Sequence, residues 1–544
     1  MRALRFLTVL SVVAACAALA GAAAAAGGAR KPAVAHASAV AGTATLAQVQ
    51  PTSATGGSTV RSHGALPIPR SRRTGAPAAA APRAASSPVL GASPLIANFN
   101  GVSSRDSAVT NFGQEFEPPD QGLCAGNGFV MEMVNSAYTV YRPNGSVVTG
   151  PFNVNGPFNE GLTQFTSDPR CYYDAATHTW FATILFISGG ESASGNQSHL
   201  DIAVNPTGDP TKLWTNYQID TTDLGGPGCP CFGDQPTLGI DAYNLYVTTN
   251  EFSINGPPFA FNGAQIYAIS KKDLVSLSSA PHFVHFGHLS IGKTIAASVQ
   301  PALTTGTPSA EYFLSSLDPT GTFDQRIGVW ALTNVRSVST GGTPTLSSIV
   351  AQSEAYGIPP PAEQRGSSST LDSGDDRMQQ TQFIGGNIWG ELTTAITIGS
   401  SQRAGAAWFK VRPSLSGGVI TKAGIPLQGY VAAQDRDFIY PALQVAPNGA
   451  AAIVGTLSGD TVFPSAAFTR LTPGSTSFGP VQIAAQGSTH YDPNATRWGD
   501  YSWAVLDPSG HSFWMATEYM PPASSQTADR ASNWGTRVLN VATG

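Results

Sequence analysis

Beyond residue 95 the chain alternates short apolar runs with Gly, Pro, Asn and Asp, and no stretch keeps an amphipathic 3.6-residue period for three turns. One pattern recurs. A polar residue, usually Asp or Gln with Pro nearby, leads into a short apolar strand. A tight turn follows, then a second strand rich in aromatic and β-branched residues that ends in Asn, Glu or Ser. Copies begin at Asp120, Asp168, Asp234, Gln300, Gln379, Tyr440 and Asp500, at intervals of 48, 66, 66, 79, 61 and 60 residues. Imperfect repeats of this length predict propeller blades or a solenoid. A blade is a four-stranded antiparallel sheet, and radial closure protects its edges. The predicted fold is therefore all-β: a single β-propeller over 96–544, with seven four-stranded blades, after a disordered N-terminal segment. Six or eight blades would follow if a copy is degenerate. The repeated hairpin supplies the two inner strands, and runs such as 264–270 and 326–332 supply outer ones. A pair of β-sandwiches is the rival fold, but it does not account for one hairpin seven times.

The hairpin turns carry their own chemistry. In 174–180 (DAATHTW) and 507–514 (DPSGHSFW) an Asp precedes the bend, and Pro447-Asn448-Gly449 follows the same logic. Asp and Asn bond their own backbone there, and Gly accepts a left-handed conformation. The second turn is similar to an Asp-box, with an extra residue before Gly510. Together with PPD-x-G-x-x-A-G-N from Pro118, DPR-x-x-YD-x-x-T-x-x-W from Asp168 and WGDYS from Trp498, it makes 96–544 resemble secreted bacterial β-propellers of the sialidase-like (Asp-box or BNR-type) superfamily. The resemblance implies the fold. It implies no activity, because many such proteins have none assigned and a shared fold does not transfer function.

The first 95 residues read differently. Arg2 and Arg5 precede an apolar stretch and Ala-x-Ala-like sites, which predicts a signal peptide over 1–26. An uncleaved anchor, or a lipid on Cys16 in the lipobox-like Val13-Ala14-Ala15-Cys16, are the alternatives. Residues 27–95, rich in Ala, Pro and Ser, read as a disordered linker or pro-segment. No later apolar run is long enough to predict a membrane span after signal removal. Nine of the 29 Lys and Arg lie in 1–95 without any acid, which leaves 20 against 34 Asp and Glu in the remainder. A body that acidic predicts no nucleic-acid partner. Cys124, Cys171, Cys229 and Cys231 remain, an even count that in an exported chain predicts two disulfides with three possible connectivities. Zinc is the rival reading, but Cys229-Pro230-Cys231 has one intervening residue and no neighbouring His in sequence.

In a blade, residues that open strand one and residues that close strand two meet at one channel mouth. The first row is Asp120, Asp168, Asp234, Gln300, Gln379 or Gln380, Tyr440 and Asp500; the second includes Asn135, Asn250, Glu251, Glu391 and Glu518. Gathered carboxylates raise each other's pKa or demand a cation. Oxygen ligands suit Ca²⁺, with Asp168, Asp234 and Asp500 as its candidate ligands. Alternatively, each Asp bonds backbone N–H groups of the next blade and closes the ring. Glycoside cleavage needs two carboxyls flanking a sugar, and Asp168, Asp234, Glu391, Asp500 and Glu518 are candidates. Arg170, Arg377, Arg436 and Arg497 lie near motif starts, but no arginine motif opens the propeller as in sialidases. Trp498 is the candidate exposed aromatic for sugar stacking, while Trp389, Trp503, Trp514 and Trp534 read as packing between blades. His282, His285 and His288 are spaced by three, which suits neither face of a straight strand and points to a loop cluster, read first as a solvated loop and only secondly as a metal site. The expected role is recognition of extracellular carbohydrate or protein by a secreted or surface-tethered monomer, through an acidic mouth formed by Asp120, Asp168, Asp234, Asn250, Glu251, Glu391, Trp498, Asp500 and Glu518. A glycan-active hydrolase and a structural surface protein are the alternatives.

Overall fold

The computed structural model describes residues 95–188, 197–255, 259–317, 323–491, 497–522 and 533–544, with short pieces between 33 and 91. The predicted signal peptide, Cys16 and most of 27–95 lie outside the described residues. The fold is nearly all-β. Among the described residues the pairing contains seven antiparallel four-stranded units; Ser38–Ala44, Ala33–His36 and Val89–Gly91 add a fifth strand to units two, three and six, and parallel pairing of first strands joins units three to five into one 13-stranded sheet. Their first strands are Gly122–Gly126, Thr166–Asp174, Cys231–Ile240, Gln300–Thr304, Met378–Ile384, Asp437–Val445 and Trp503–Leu506. Each follows one of the seven repeat starts or contains it. The runs expected as outer strands lie in Phe261–Ser270 and Asp324–Thr333, the third strands of units three and four.

Each first strand contacts the first strand of the next unit, and that of unit seven returns to that of unit one. Unit seven lacks a fourth strand of its own. Ala97–Ser103, from before unit one, pairs antiparallel with Gly535–Ala542 and completes it. A strand from before unit one and the last strand of the chain are thereby hydrogen-bonded into one sheet. Gly101 makes this possible. A Cβ there would lie 2.1 Å from a Glu132 carboxylate oxygen and 2.3 Å from the Thr536 hydroxyl. The Glu132 carboxylate accepts the Val102 N–H at 2.8 Å, tying unit seven to unit one.

The cores lie between neighbouring units. Met131, Met133 and Tyr138 of unit one pack with Trp180, Ala182 and Ile184 of unit two. Trp389 and Trp408 of unit five pack with Phe438, Leu443 and Ile453 of unit six. Both faces of most strands are thus buried, which explains why the strands read as apolar runs rather than clean alternation. Disulfides join Cys124 to Cys171 and Cys229 to Cys231, one of the three connectivities the count allowed. The first staples the innermost strands of units one and two. The hairpin turns are scaffold: Asp174 takes the Thr177 hydroxyl at 2.7 Å, and Asp507 takes the Ser509 N–H at 2.9 Å. No helix of the described residues is long and apolar enough to cross a membrane.

Because Gly101 sits against two buried side chains, Gly101→Val should lower stability by about 2–3 kcal/mol through overpacking. Chemical denaturation of the full chain reads this directly, and an unchanged midpoint would mean that the closing strand docks elsewhere.

Candidate functional site

The residues that open the first strands do converge. Asp120, Asp168, Gln235, Ser298 and Tyr440 all have φ between 46° and 58°. The pairing shifts register beside Asp168, Gln235 and Tyr440. A bulge of this kind re-aims side chains at a strand end. The turned side chains and backbone form a hub. Asn135 closes unit one onto unit two: its amide donates to Asp120 at 2.7 Å and to the Pro118 carbonyl at 3.0 Å, and its carbonyl accepts the Asp168 N–H at 2.7 Å. Asp120 accepts the Asp500 N–H from unit seven at 2.7 Å. Asn250 repeats the device between units three and four, accepting the Ser298 N–H at 2.8 Å. Glu518 accepts the Gly499 N–H at 2.8 Å.

Arginines, not only aspartates, fill the centre. Arg497 binds both Asp500 oxygens at 2.7 Å and Asp372 at 2.8 Å. Arg377 binds Asp375 with two bonds of 2.7 Å and reaches Gln235 of unit three. Arg170, fully buried, crosses from unit two to stack 3.1 Å from the Tyr501 ring centroid, and its Nε donates to the Pro236 carbonyl. A stacked guanidinium keeps cation–π attraction where water is excluded. Farther down, Gln380 makes a two-way pair with the Ala504 backbone, and Gln382 reaches the Leu443 carbonyl. The Leu66 N–H donates to Asp234 at 2.8 Å and its carbonyl accepts from Arg377, so an N-terminal residue lies over the third unit's contribution.

Burial governs the electrostatics. Asp120 is pushed well above the usual carboxylate range by burial first, then by Asp500 and Asp168. Burial likewise raises Glu518 and Glu391. Arg497 is raised, chiefly by Asp500, while burial lowers Arg170 against the opposing pull of Tyr501 and the aspartates. Asp120, Asp168, Asp234, Glu391, Asp500 and Glu518 are all 5% exposed or less.

Not every expected residue joins this hub. Asp120, Asp168, Asp500 and Glu518 do, and Asp234 and Asn250 face each other in register beside it. Glu391 is buried against backbone between units five and six. The Glu251 carboxylate points away, toward Cys229, Asp223 and His288. Trp498, expected to be exposed, is fully buried; its N–H donates to Thr456 and its ring meets Tyr491 edge-on, because the mouth loop folds inward. Arg436 stays at the surface, donating to the Asp435 carbonyl. The histidine triplet is not a loop cluster: His282–Phe286 is a strand. His282 pairs with Asp273 and His285 with Gln265, while His288 lies near two carboxylates, Asp223 and Glu251. Among the described residues, the groups with metal-ligand geometry lie outside the Asp168, Asp234 and Asp500 set proposed for Ca²⁺.

At the opposite end of the sheets a cavity of about 540 Å³ opens between units two, three and four. Thr177, Tyr243, Lys271, Lys272, Val275 and Arg336 line it. Arg336 lies over the Tyr243 ring at 4.5 Å, while Lys271 is buried against Asp174 at 3.0 Å. Nothing in the repeat pattern marked this place, since its residues come from turns and short helices between strands.

No protein-family model matches the chain, and no curated protein matches it. Among solved structures, a Trypanosoma rangeli sialidase is similar over 74% of this chain and 57% of its own, at 9% identity and a TM-score of 0.36. The NanB sialidase from Streptococcus pneumoniae is similar over 76% and 82%, at 10% identity and a TM-score of 0.34. Extracellular domains 1–2 of Drosophila Semaphorin 1b are similar over 83% and 87%, at 9% and 0.33. At these scores the likeness identifies neither a family nor an activity.

Two outcomes follow from the hub and its surroundings. Asn135→Ala leaves an Asp120 oxygen and the Asp168 N–H without their buried partner, and should destabilise the protein by about 3 kcal/mol in chemical denaturation. The second concerns pH. Burial raises Glu117 and Glu132 to about 7 and Glu354 to about 8, from an ordinary value of 4.5. For His199 burial opposes the charge, but bonds from Asp201 and Glu160 outweigh it and hold the ring at about 9. All four bind their proton more tightly when folded, so their stabilisation is lost as pH rises through these values. The melting temperature should fall steadily from pH 6.5 to pH 9; a rise across that window would contradict the assignment.

Proposed function

We propose that this chain is an exported, seven-bladed β-propeller that binds an acidic extracellular carbohydrate and does not cleave it. The cyclic contact of seven first strands, with Ala97–Ser103 completing unit seven, supports the propeller reading. The apolar start of the chain and the two disulfides support export. One observation carries the non-catalytic reading. Every carboxyl nominated for hydrolysis is at most 5% exposed, with Glu391 at 0%. Cleavage requires two carboxyls that flank a bound sugar, one of them with room for the attack. Asp120, Asp500 and Glu518 spend oxygens on backbone N–H groups, Asn135 and arginine, and act as the lock that closes the ring.

Recognition is then assigned to the open cavity on the other face. A tyrosine ring offers a flat apolar surface for a sugar ring. Arg336 and Lys272 supply positive charge on an acidic body, and a guanidinium matches a carboxylate or sulfate well.

A glycan array with the full chain tests this, alongside Tyr243→Ala/Arg336→Ala and the hub variant Asp168→Asn. Selective retention of acidic glycans should be lost in the double variant and kept in a folded Asp168→Asn protein. Loss only in Asp168→Asn would move the site to the hub, and release of free sugar would overturn the non-catalytic reading.

A further inference from the structure

A residue from far up the chain lies on the hub face of unit three. Leu66 is held there in three ways. Its N–H donates to the Asp234 carboxylate at 2.8 Å, and its carbonyl accepts from Arg377 at 3.2 Å. Its side chain packs against Leu185, Ile187, Phe165, Phe232 and Phe252 of units two and three and the loop before unit two. One residue's donor, acceptor and side chain are each met by a different feature of the fold.

Those features are fixed by other residues. Asp234 lies fully buried in the first strand of unit three. Arg377 makes two 2.7 Å bonds to Asp375 and one bond to Gln235, so its guanidinium is oriented independently of the Leu66 carbonyl. Phe232 stacks on Phe252 with ring centroids 6.0 Å apart and meets Phe259 edge-on. Backbone hydrogen bonds for affinity and an apolar pocket for one side chain are how proteins bind extended peptides.

The same segment makes a second contact of this kind. Val60–Ser62 pairs in parallel with Glu115–Glu117, which has no other strand partner among the described residues. Charge fits as well: residues 1–95 carry nine Lys and Arg and no acid, and the paired strand carries Glu115 and Glu117. Pro67 follows Leu66 in sequence. A residue before proline is biased to extended backbone, which lowers the ordering cost of binding.

We propose that the hub face carries a peptide-binding site, built from Asp234, Arg377 and the Phe232–Phe252 pocket, that takes an extended leucine-containing peptide, and that residues 60–66 occupy it in cis. This site is separate from the cavity on the opposite face. A free peptide must displace a segment tethered to the same chain, and tethering gives that segment a high effective concentration.

The probe is a fluorescein-labelled synthetic peptide of residues 58–69, read by anisotropy against the full chain. Leu66→Asp sets a carboxylate against Asp234 and the phenylalanines, so it should free the site and bind the peptide at least about tenfold more tightly than the unaltered chain does. A peptide N-methylated at the leucine nitrogen lacks the N–H that Asp234 takes, and one with alanine for leucine lacks the pocket side chain. Each should bind Leu66→Asp at least about tenfold more weakly than the parent peptide. Hydrogen exchange of the unaltered full chain gives a readout that needs no variant: the Leu66 amide should be protected. No gain of peptide binding in Leu66→Asp, indifference to N-methylation, or a Leu66 amide that exchanges at the free-peptide rate would each overturn the assignment.

Discussion

The arrangement of the units depends on the polar contacts that join the starts of their first strands. The first strands contact one another in turn, and those that shift register beside Asp168, Gln235 and Tyr440 bring backbone groups that their own sheet does not satisfy there. Water is excluded, so every such group needs a protein partner. The chain meets this with Asn135 and Asn250, which each take a backbone N–H from the next unit, and with Asp120, which takes one across the closure from unit seven. Buried carboxylates are unfavourable alone. Arg497, bound to both Asp500 oxygens, and Arg170, which reaches from unit two to stack on Tyr501, offset them beside Asp120 and Asp500.

This centre shapes everything outside it. Arg497 and Arg170 lie among the hub aspartates, whose carboxylates are almost closed to solvent, and Asn135 and Asp120 join one unit to another. The cores between units then form from two-sided apolar strands, and tryptophans such as Trp389, Trp408 and Trp180 serve as fillers between sheets. Ala97–Ser103 completes unit seven, so stability at the periphery depends on a glycine that lets this strand approach Glu132 and Thr536.

The contrast between two acidic places is instructive. At the hub, Asp120, Asp168 and Asp500 lie close to Arg170 and Arg497. At the disulfide corner, Glu251 and Asp223 face a histidine and sulfur but no arginine. Burial and mutual repulsion act in both, and burial leads in raising Glu251 to about 8, with Asp223 adding to it. Arginine stands among the acids in the first place and a histidine in the second. Counting acids along a strand row does not distinguish them.

The repeat itself was legible: the seven starts, the polar-then-apolar hairpin and the Asp and Asn turns all recur locally, and local recurrence is what a sequence records. So was the pairing of cysteines as disulfides, though not their partners, since Cys124 and Cys171 meet only when units one and two pack. The convergence of Asp120, Asp168, Asp500 and Glu518 was also readable, because it follows from strand direction alone. What the tertiary structure decided was which way each side chain turned and what stood opposite it. Glu251 left the mouth for the disulfide corner, and Trp498 turned inward onto Thr456 and Tyr491. Arg170, Arg377 and Arg497, scattered in sequence, met at the centre, and His288 reached Cys229's neighbourhood from 59 residues away. Facing and proximity between distant segments are set by packing and by the need to satisfy buried charge, and neither leaves a local trace in the order of residues.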